Sequence, residues 1–219
     1  MKFVKDIKGV IWDVDGVLLD SMGIWKDLGA RYLVKNGIEP EEGLGGILFS
    51  MSMEQGAQYL KQNYMPQSTA DEIIEGLENM LRDYYYCEVP AKEGAGKLLA
   101  ALHQAGVRMA AATSSPREHI TAALDRNGLL GFIGRIFTNS ETGSSKHSPE
   151  IYDAAADFLG LAADGICVVE DSLYALKTAA KAGYHTVGVY DKNGEADQKG
   201  LKETAQIYIR SLTELMQLF

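Results

Sequence analysis

Gly9-Val10-Ile11-Trp12-Asp13-Val14-Asp15-Gly16-Val17 sets a short apolar run directly against two acids and a glycine. The run from Gly9 to Trp12 does not alternate with polar residues. Such continuity is the mark of a strand buried on both faces of a parallel sheet. Similar runs recur at residues 107–112, 166–169 and 186–190, with a weaker one at 207–209. Helical patterns lie between them. Residues 94–105 carry Leu98, Leu99 and Leu102 on one face. Pro116 opens a second helix, where its missing N–H costs little, and a third runs from Ser172 to a stop at Gly183. Strand and helix in alternation predict an α/β doubly wound fold with a parallel sheet.

Residues 18–87 break that rhythm. They contain no convincing strand, and helical structure is predicted over residues 22–36, 52–64 and, as one long helix or two short ones, 68–86. Asp71 and Glu72 fall early in the last of these, where the helix dipole favours acids. Gly43-Leu44-Gly45-Gly46 reads as a loop. It is not a phosphate loop of the Gly-rich kind, because no Lys-Ser/Thr follows it. The expected organisation is therefore a core of residues 1–17 and 88–219, with a small helical domain, residues 18–87, inserted after the first strand.

The chain has 219 residues, of which 46% are hydrophobic, enough for a buried core. Its net charge of −9 argues against coating nucleic acid or an anionic membrane. It does not argue against a phosphorylated ligand, since a cation and a local lysine can neutralise one site. Cys87 and Cys167 are too few and too far apart for a disulfide framework or a cysteine metal site, and both read as buried thiols. No leader-like segment and no membrane-length apolar stretch is seen, so the cytoplasm is the expected compartment. Oligomeric state is left open; a monomer is compatible with the sequence.

The chemistry is expected at strand ends. Asp13 and Asp15 follow the first strand, where α/β sheets place their ligands, and Gly16 permits a tight turn that aims both at one point. An ordinary polar loop could look the same. Glu170-Asp171 ends another buried strand. These acids either cap the helix starting near Ser172 or, with Asp13, hold a hard cation such as magnesium. Thr113-Ser114-Ser115 leads a strand into a helix, as an anion cradle or as a plain hydroxyl turn. Lys146, in Ser144-Ser145-Lys146-His147-Ser148-Pro149, would by itself be a solvated loop lysine.

Taken in order along the chain, Asp13-Val14-Asp15-Gly16-Val17, Thr113 at a strand end, Lys146 before Ser148-Pro149-Glu150, and Glu170-Asp171 closely resemble the haloacid dehalogenase superfamily of phosphohydrolases. The resemblance spans essentially the whole chain. Its nearest branch is the β-phosphoglucomutase-like phosphatases, whose α-helical cap the insert resembles. It implies that Asp13 is a nucleophile forming an aspartyl-phosphate and that Asp15 is the acid and base. It implies magnesium held by Asp13, the Asp15 backbone carbonyl and Asp171, with support from Glu170. Thr113, the Ser114 backbone and Lys146 would grip the phosphoryl group of a small phosphorylated metabolite. Two departures stand out. His147 occupies a place usually taken by proline in this branch. Residues 47–52 lack the arginine with which mutase caps grip a second phosphate, which favours a phosphatase over a phosphomutase. A non-catalytic binding module is the competing class, and the intact Asp13, Asp15, Lys146 and Asp171 speak against it.

Overall fold

The computed structural model describes residues 7–49 and 51–217, which divide into two compact units, residues 7–21 with 89–217 and residues 22–88 without 50. The larger unit holds six strands: β1 Gly9–Trp12, β2 Arg108–Thr113, β3 Ile136–Thr138, β4 Ile166–Glu170, β5 His185–Val189 and β6 Ile207–Ile209. They form one parallel sheet in the order β3-β2-β1-β4-β5-β6. This is the predicted doubly wound α/β architecture. The chain first winds outward from β1 through β2 to β3, then crosses back to β4 and winds the other way. The direction reverses beside β1, and the crevice beyond the carboxyl ends of β1 and β4 is where such sheets take ligands.

The parallel strands are joined through helices, as such crossovers require. On one face Ile11, Ala110, Ala112, Ile166 and Val168 pack against Ile151, Tyr152, Ala155 and Leu159 of helix Glu150–Leu159. Because strand side chains alternate, Trp12 points to the other face, where it is fully buried. β3 was not predicted. It is three buried residues long and offers no pattern to read.

Residues 18–21, expected in the insert, belong to the core unit. Leu18, Leu19 and Ser21 are completely buried, and Leu19 pairs with Ala91 in an antiparallel bridge. The Asp20 N–H donates to the Pro90 carbonyl and the Lys92 N–H to the Leu18 carbonyl, 2.9 and 2.8 Å. The hydrophobic run Val17-Leu18-Leu19 buries itself in the core unit, so helical character begins only after it.

The insert unit contains helices Ile24–Lys35, Leu44–Phe49, Met53–Asn63 and Ala70–Asp83, the last running into a wider turn at Tyr84–Glu88. Two of them begin with capping boxes, Ser52 with Gln55 and Thr69 with Glu72, each satisfying two orphan backbone donors. Leu33, Leu60, Ile73 and Leu77 lie in its buried interior. The predicted loop at Gly43-Leu44-Gly45-Gly46 is instead the entry to helix Leu44–Phe49. The glycines answer to packing: a Cβ on Gly45 would fall on the Lys26 carbonyl oxygen. A cavity of about 310 Å³ in this unit is lined by Trp25, Leu28, Leu48, Met51, Met53 and Leu60.

Cys167 is buried as expected, but Cys87 is exposed, because only Tyr84 and Tyr85 of the terminal turn face inward. Burial pushes the Cys167 thiol up to about 12. At pH 8 only about one part in ten thousand of such a thiol is thiolate, the reactive form. Ellman's reagent should therefore titrate one thiol promptly in the native protein and the second only in denaturant. Prompt reaction of both would contradict the packing around β4.

Candidate active site

Asp13 prolongs β1: its N–H donates to the Val169 carbonyl of β4 at 2.9 Å. The chain then folds back on itself. The N–H groups of Leu18 and Leu19 both donate to the Val14 carbonyl, and Gly16 supplies the left-handed backbone that this turn needs, φ +80°. The turn presents Asp15, whose two carboxylate oxygens each accept a hydroxyl: Ser21 donates to Oδ1 and Ser115 to Oδ2, both at 2.6 Å. Neither serine was singled out from the sequence. Ser115 belonged to a run read for its neighbours, and Ser21 resembled linker.

Lys146 is buried, and its ammonium lies between two carboxylates. It donates to Asp13 Oδ1 at 2.5 Å and to Glu170 Oε1 at 2.6 Å. The Tyr152 hydroxyl, from the helix packed beneath the sheet, donates to the same Glu170 oxygen at 2.9 Å. Glu170 thus anchors Lys146, a contact that reading it only as metal support did not include. Thr113 Oγ1 accepts the Ser115 N–H at 3.1 Å, so that N–H closes a hydroxyl turn. The exposed Ser114 hydroxyl accepts from Asn139 Nδ2 at 2.9 Å.

Asp171 begins the next loop. Its Oδ1 accepts the Ser172 hydroxyl at 3.2 Å, while Oδ2 is buried with no hydrogen-bond partner. Gly194 packs against that oxygen, and a Cβ there would come within 2.8 Å of it. The same loop carries Asp191, which is buried, pairs with Lys92 and accepts the Asn193 N–H at 2.7 Å. Glu195 Oε2 accepts the Leu173 N–H at 2.9 Å, capping helix Leu173–Lys181 from a distance. No pattern in residues 190–197 points to the part this loop after β5 plays in the site, since its contacts reach across to the loop after β4.

Three carboxylates, Asp13, Glu170 and Asp171, bring ligand atoms within 4.8 Å of one another. Lys146 balances one of those charges. Burial, then repulsion from Glu170, raises the Asp13 carboxyl well above its usual range. The same two causes lift Asp171 to about 7. Burial by itself would lower the Lys146 ammonium, but Asp13 and Glu170 outweigh it and hold the lysine protonated. Excess buried negative charge and an orphaned, inward-facing carboxylate oxygen are what a hard divalent cation would satisfy. The donor set therefore fits magnesium, with Asp13, Asp171 and Glu170 as the acids able to hold it.

Residues 7–183 match the haloacid dehalogenase-like hydrolase family, and the chain belongs to it. It is 28% identical over 218 residues to hexitol phosphatase A of Escherichia coli, covering 95% of this chain and 93% of that protein. It is 26% identical to validoxylamine A 7'-phosphate phosphatase of Streptomyces hygroscopicus, over 95% of each. Among solved structures, a putative β-phosphoglucomutase from Thermotoga maritima superposes with a TM-score of 0.85 over 97% of this chain and 98% of that one. At 21% identity that likeness speaks for the fold.

Proposed function

We propose that this chain is a magnesium-dependent phosphatase that hydrolyses a small phosphomonoester through a phosphorylated Asp13. The observation that carries the reading is the pairing at β1. Asp13 touches Lys146, and Asp15, two residues on, is gripped through both oxygens by Ser21 and Ser115. One carboxylate is placed to attack, and the other is oriented to move a proton.

In the first half, an Asp13 oxygen bonds to phosphorus as the ester P–O bond breaks, and Asp15 gives its proton to the departing oxygen. In the second half, Asp15 takes a proton from water, whose oxygen attacks phosphorus. Inorganic phosphate leaves and Asp13 is restored. Lys146 and the Ser114 loop hold the non-bridging oxygens as their charge shifts. Bound magnesium would supply charge neutralisation between the anionic nucleophile and the anionic substrate. One relative is named a hexitol phosphatase and the other a validoxylamine A 7'-phosphate phosphatase, and phosphorylated polyols and sugars are the substrate class proposed here. Among the described residues no helix is long and apolar enough to cross a membrane, and a cytoplasmic enzyme acting as a monomer is the simplest form of the proposal.

The test is phosphate release from p-nitrophenyl phosphate and a panel of polyol and sugar phosphates, with magnesium and with EDTA. Release in magnesium and none in EDTA is expected. Asp15→Asn should lower the rate by on the order of 10²–10⁴-fold. Silence across the panel would sink the proposal, and phosphate exchange between two positions of a sugar without net release would favour a phosphomutase. Magnesium should also raise the melting temperature: at about a hundred times its Kd, mass action contributes about 2.7 kcal/mol. Asp171→Asn should abolish that rise. An equal rise in the variant would mean the ion binds elsewhere.

A further inference from the structure

Gly194, in the loop after β5, has no left-handed backbone to explain it: its φ lies outside the region that Gly16 and Gly183 occupy. What the position excludes is a side chain. A Cβ there would stand 2.8 Å from Asp171 Oδ2 and 3.1 Å from the Asp191 Cβ, the first well inside van der Waals contact. Asp171 Oδ2 is the buried oxygen without a hydrogen-bond partner. Gly194 closes on it without satisfying it, because the Gly194 N–H donates instead to the Asp191 carbonyl, 3.4 Å. The loop that brings Gly194 there is tied down at both ends. Asp191, buried, accepts the Asn193 N–H at 2.7 Å with Oδ1 and pairs with the Lys92 ammonium through Oδ2. Lys92 is itself fixed, its N–H donating to the Leu18 carbonyl at 2.8 Å. On the other side of Gly194, Glu195 accepts the Leu173 N–H with Oε2 and the Asp197 N–H with Oε1, both at 2.9 Å.

We propose that Gly194 is a positioning residue for Asp171: its bare backbone, locked by the Asp191–Lys92 pair and by Glu195, sets the orientation of the Asp171 carboxylate and withholds a hydrogen bond from it, so that the carboxylate meets a cation as a ready ligand. This rests on the reading that Asp171 holds magnesium. Since the loop is held on both sides of Gly194, a methyl group at 194 is relieved by turning the Asp171 carboxylate and not by retreat of the loop. Lys92, far from the ion, then acts on it through the loop alone.

Titration calorimetry of the full chain, stripped of metal, with magnesium and with calcium tests this. Gly194→Ala should weaken magnesium about 10–100-fold, the usual result of disturbing what supports a ligand. Magnesium demands near-ideal octahedral geometry, whereas calcium accepts displaced oxygens. Calcium should therefore lose less, and the preference between the two ions should move towards calcium. The urea midpoint of metal-free Gly194→Ala should stay close to that of the wild type. Lys92→Met, which unpins the loop, should also weaken magnesium, and Lys92→Arg, which keeps a cation against Asp191, should restore it. Unchanged magnesium affinity in Gly194→Ala overturns the assignment, and so does an equal loss of both ions together with a collapsed urea midpoint, the mark of a scaffold alone. Should Gly194→Ala fail to fold, the Lys92 variants decide: magnesium bound equally well by Lys92→Met and the wild type overturns the proposal. A wild-type protein that binds neither ion refutes the magnesium site itself and the positioning role with it, whereas tight binding by both the wild type and Gly194→Ala refutes the positioning role alone.

Discussion

Asp13→Asn is expected to abolish phosphate release, with a loss on the order of 10⁴–10⁶-fold, the scale seen when a covalent nucleophile is removed. The variant keeps the shape of the side chain and its place between β1 and β4, so the loss should not come from unfolding. Stability sharpens the test. Burial and Glu170 both disfavour a charged Asp13 in the folded protein. A neutral amide relieves that repulsion, and Lys146 retains Glu170 at 2.6 Å. The melting temperature of metal-free Asp13→Asn should therefore not fall below that of the wild type. Retained hydrolysis would rule out attack by Asp13. A collapse in melting temperature would mean that the Asp13–Lys146 contact is a structural pillar rather than a catalytic arrangement.

Lys146→Met is expected to fail in both respects. It removes the cation that lies between Asp13 and Glu170 and leaves two buried carboxylates, with Asp171 close by, uncompensated. Breaking a buried pair from one side typically costs about 3–5 kcal/mol. That is a large part of the total stability of an ordinary domain. Urea denaturation should show the midpoint dropping accordingly, and magnesium should recover part of the loss by neutralising the same acids. Hydrolysis should fall by about 10²–10³-fold, the usual consequence of deleting one electrostatic stabiliser. An unchanged urea midpoint would show that Asp13 and Glu170 do not rely on this ammonium.

The two variants probe parts of the site that were unequally legible. Asp13, Asp15, Glu170 and Asp171 stand out because acids directly follow buried apolar strands, a contrast visible in one dimension, whereas Lys146 reads as a loop lysine and stands out only by its order among the other motifs. The strands themselves were legible for the same reason, except β3, where Ile136–Thr138 is too short for any pattern. Ser21, Ser115 and Tyr152 were not legible. Each acts through a single hydroxyl, and a hydroxyl in a loop or helix looks the same whether it meets a carboxylate or water. Gly194 and Glu195 were hidden likewise, since they follow β5 while their partners Asp171 and Leu173 precede it. In the insert, Gly45 misled because glycine signals a loop more often than a close helix crossing. Within residues 47–52, which carry no arginine, Ser50 lies outside the described residues.

The position of β1 at the middle of the sheet has a consequence for biosynthesis. Gly9 leaves the ribosome early, but its register partners are Arg108 on one side and Ile166 on the other. The apolar strand that leads into Asp13 must wait for about half of the chain before its ladder with β2 can form, and for longer still before its ladder with β4. The insert, whose helices contact one another locally, faces no such delay, and short-range contacts form fastest. The nascent protein would then hold a folded insert beside a solitary sticky strand, a species for chaperones to shield. Pulse-labelled hydrogen exchange during refolding should protect the amides of Ala70–Asp83 before those of Gly9–Trp12; the reverse order would contradict this sequence of events.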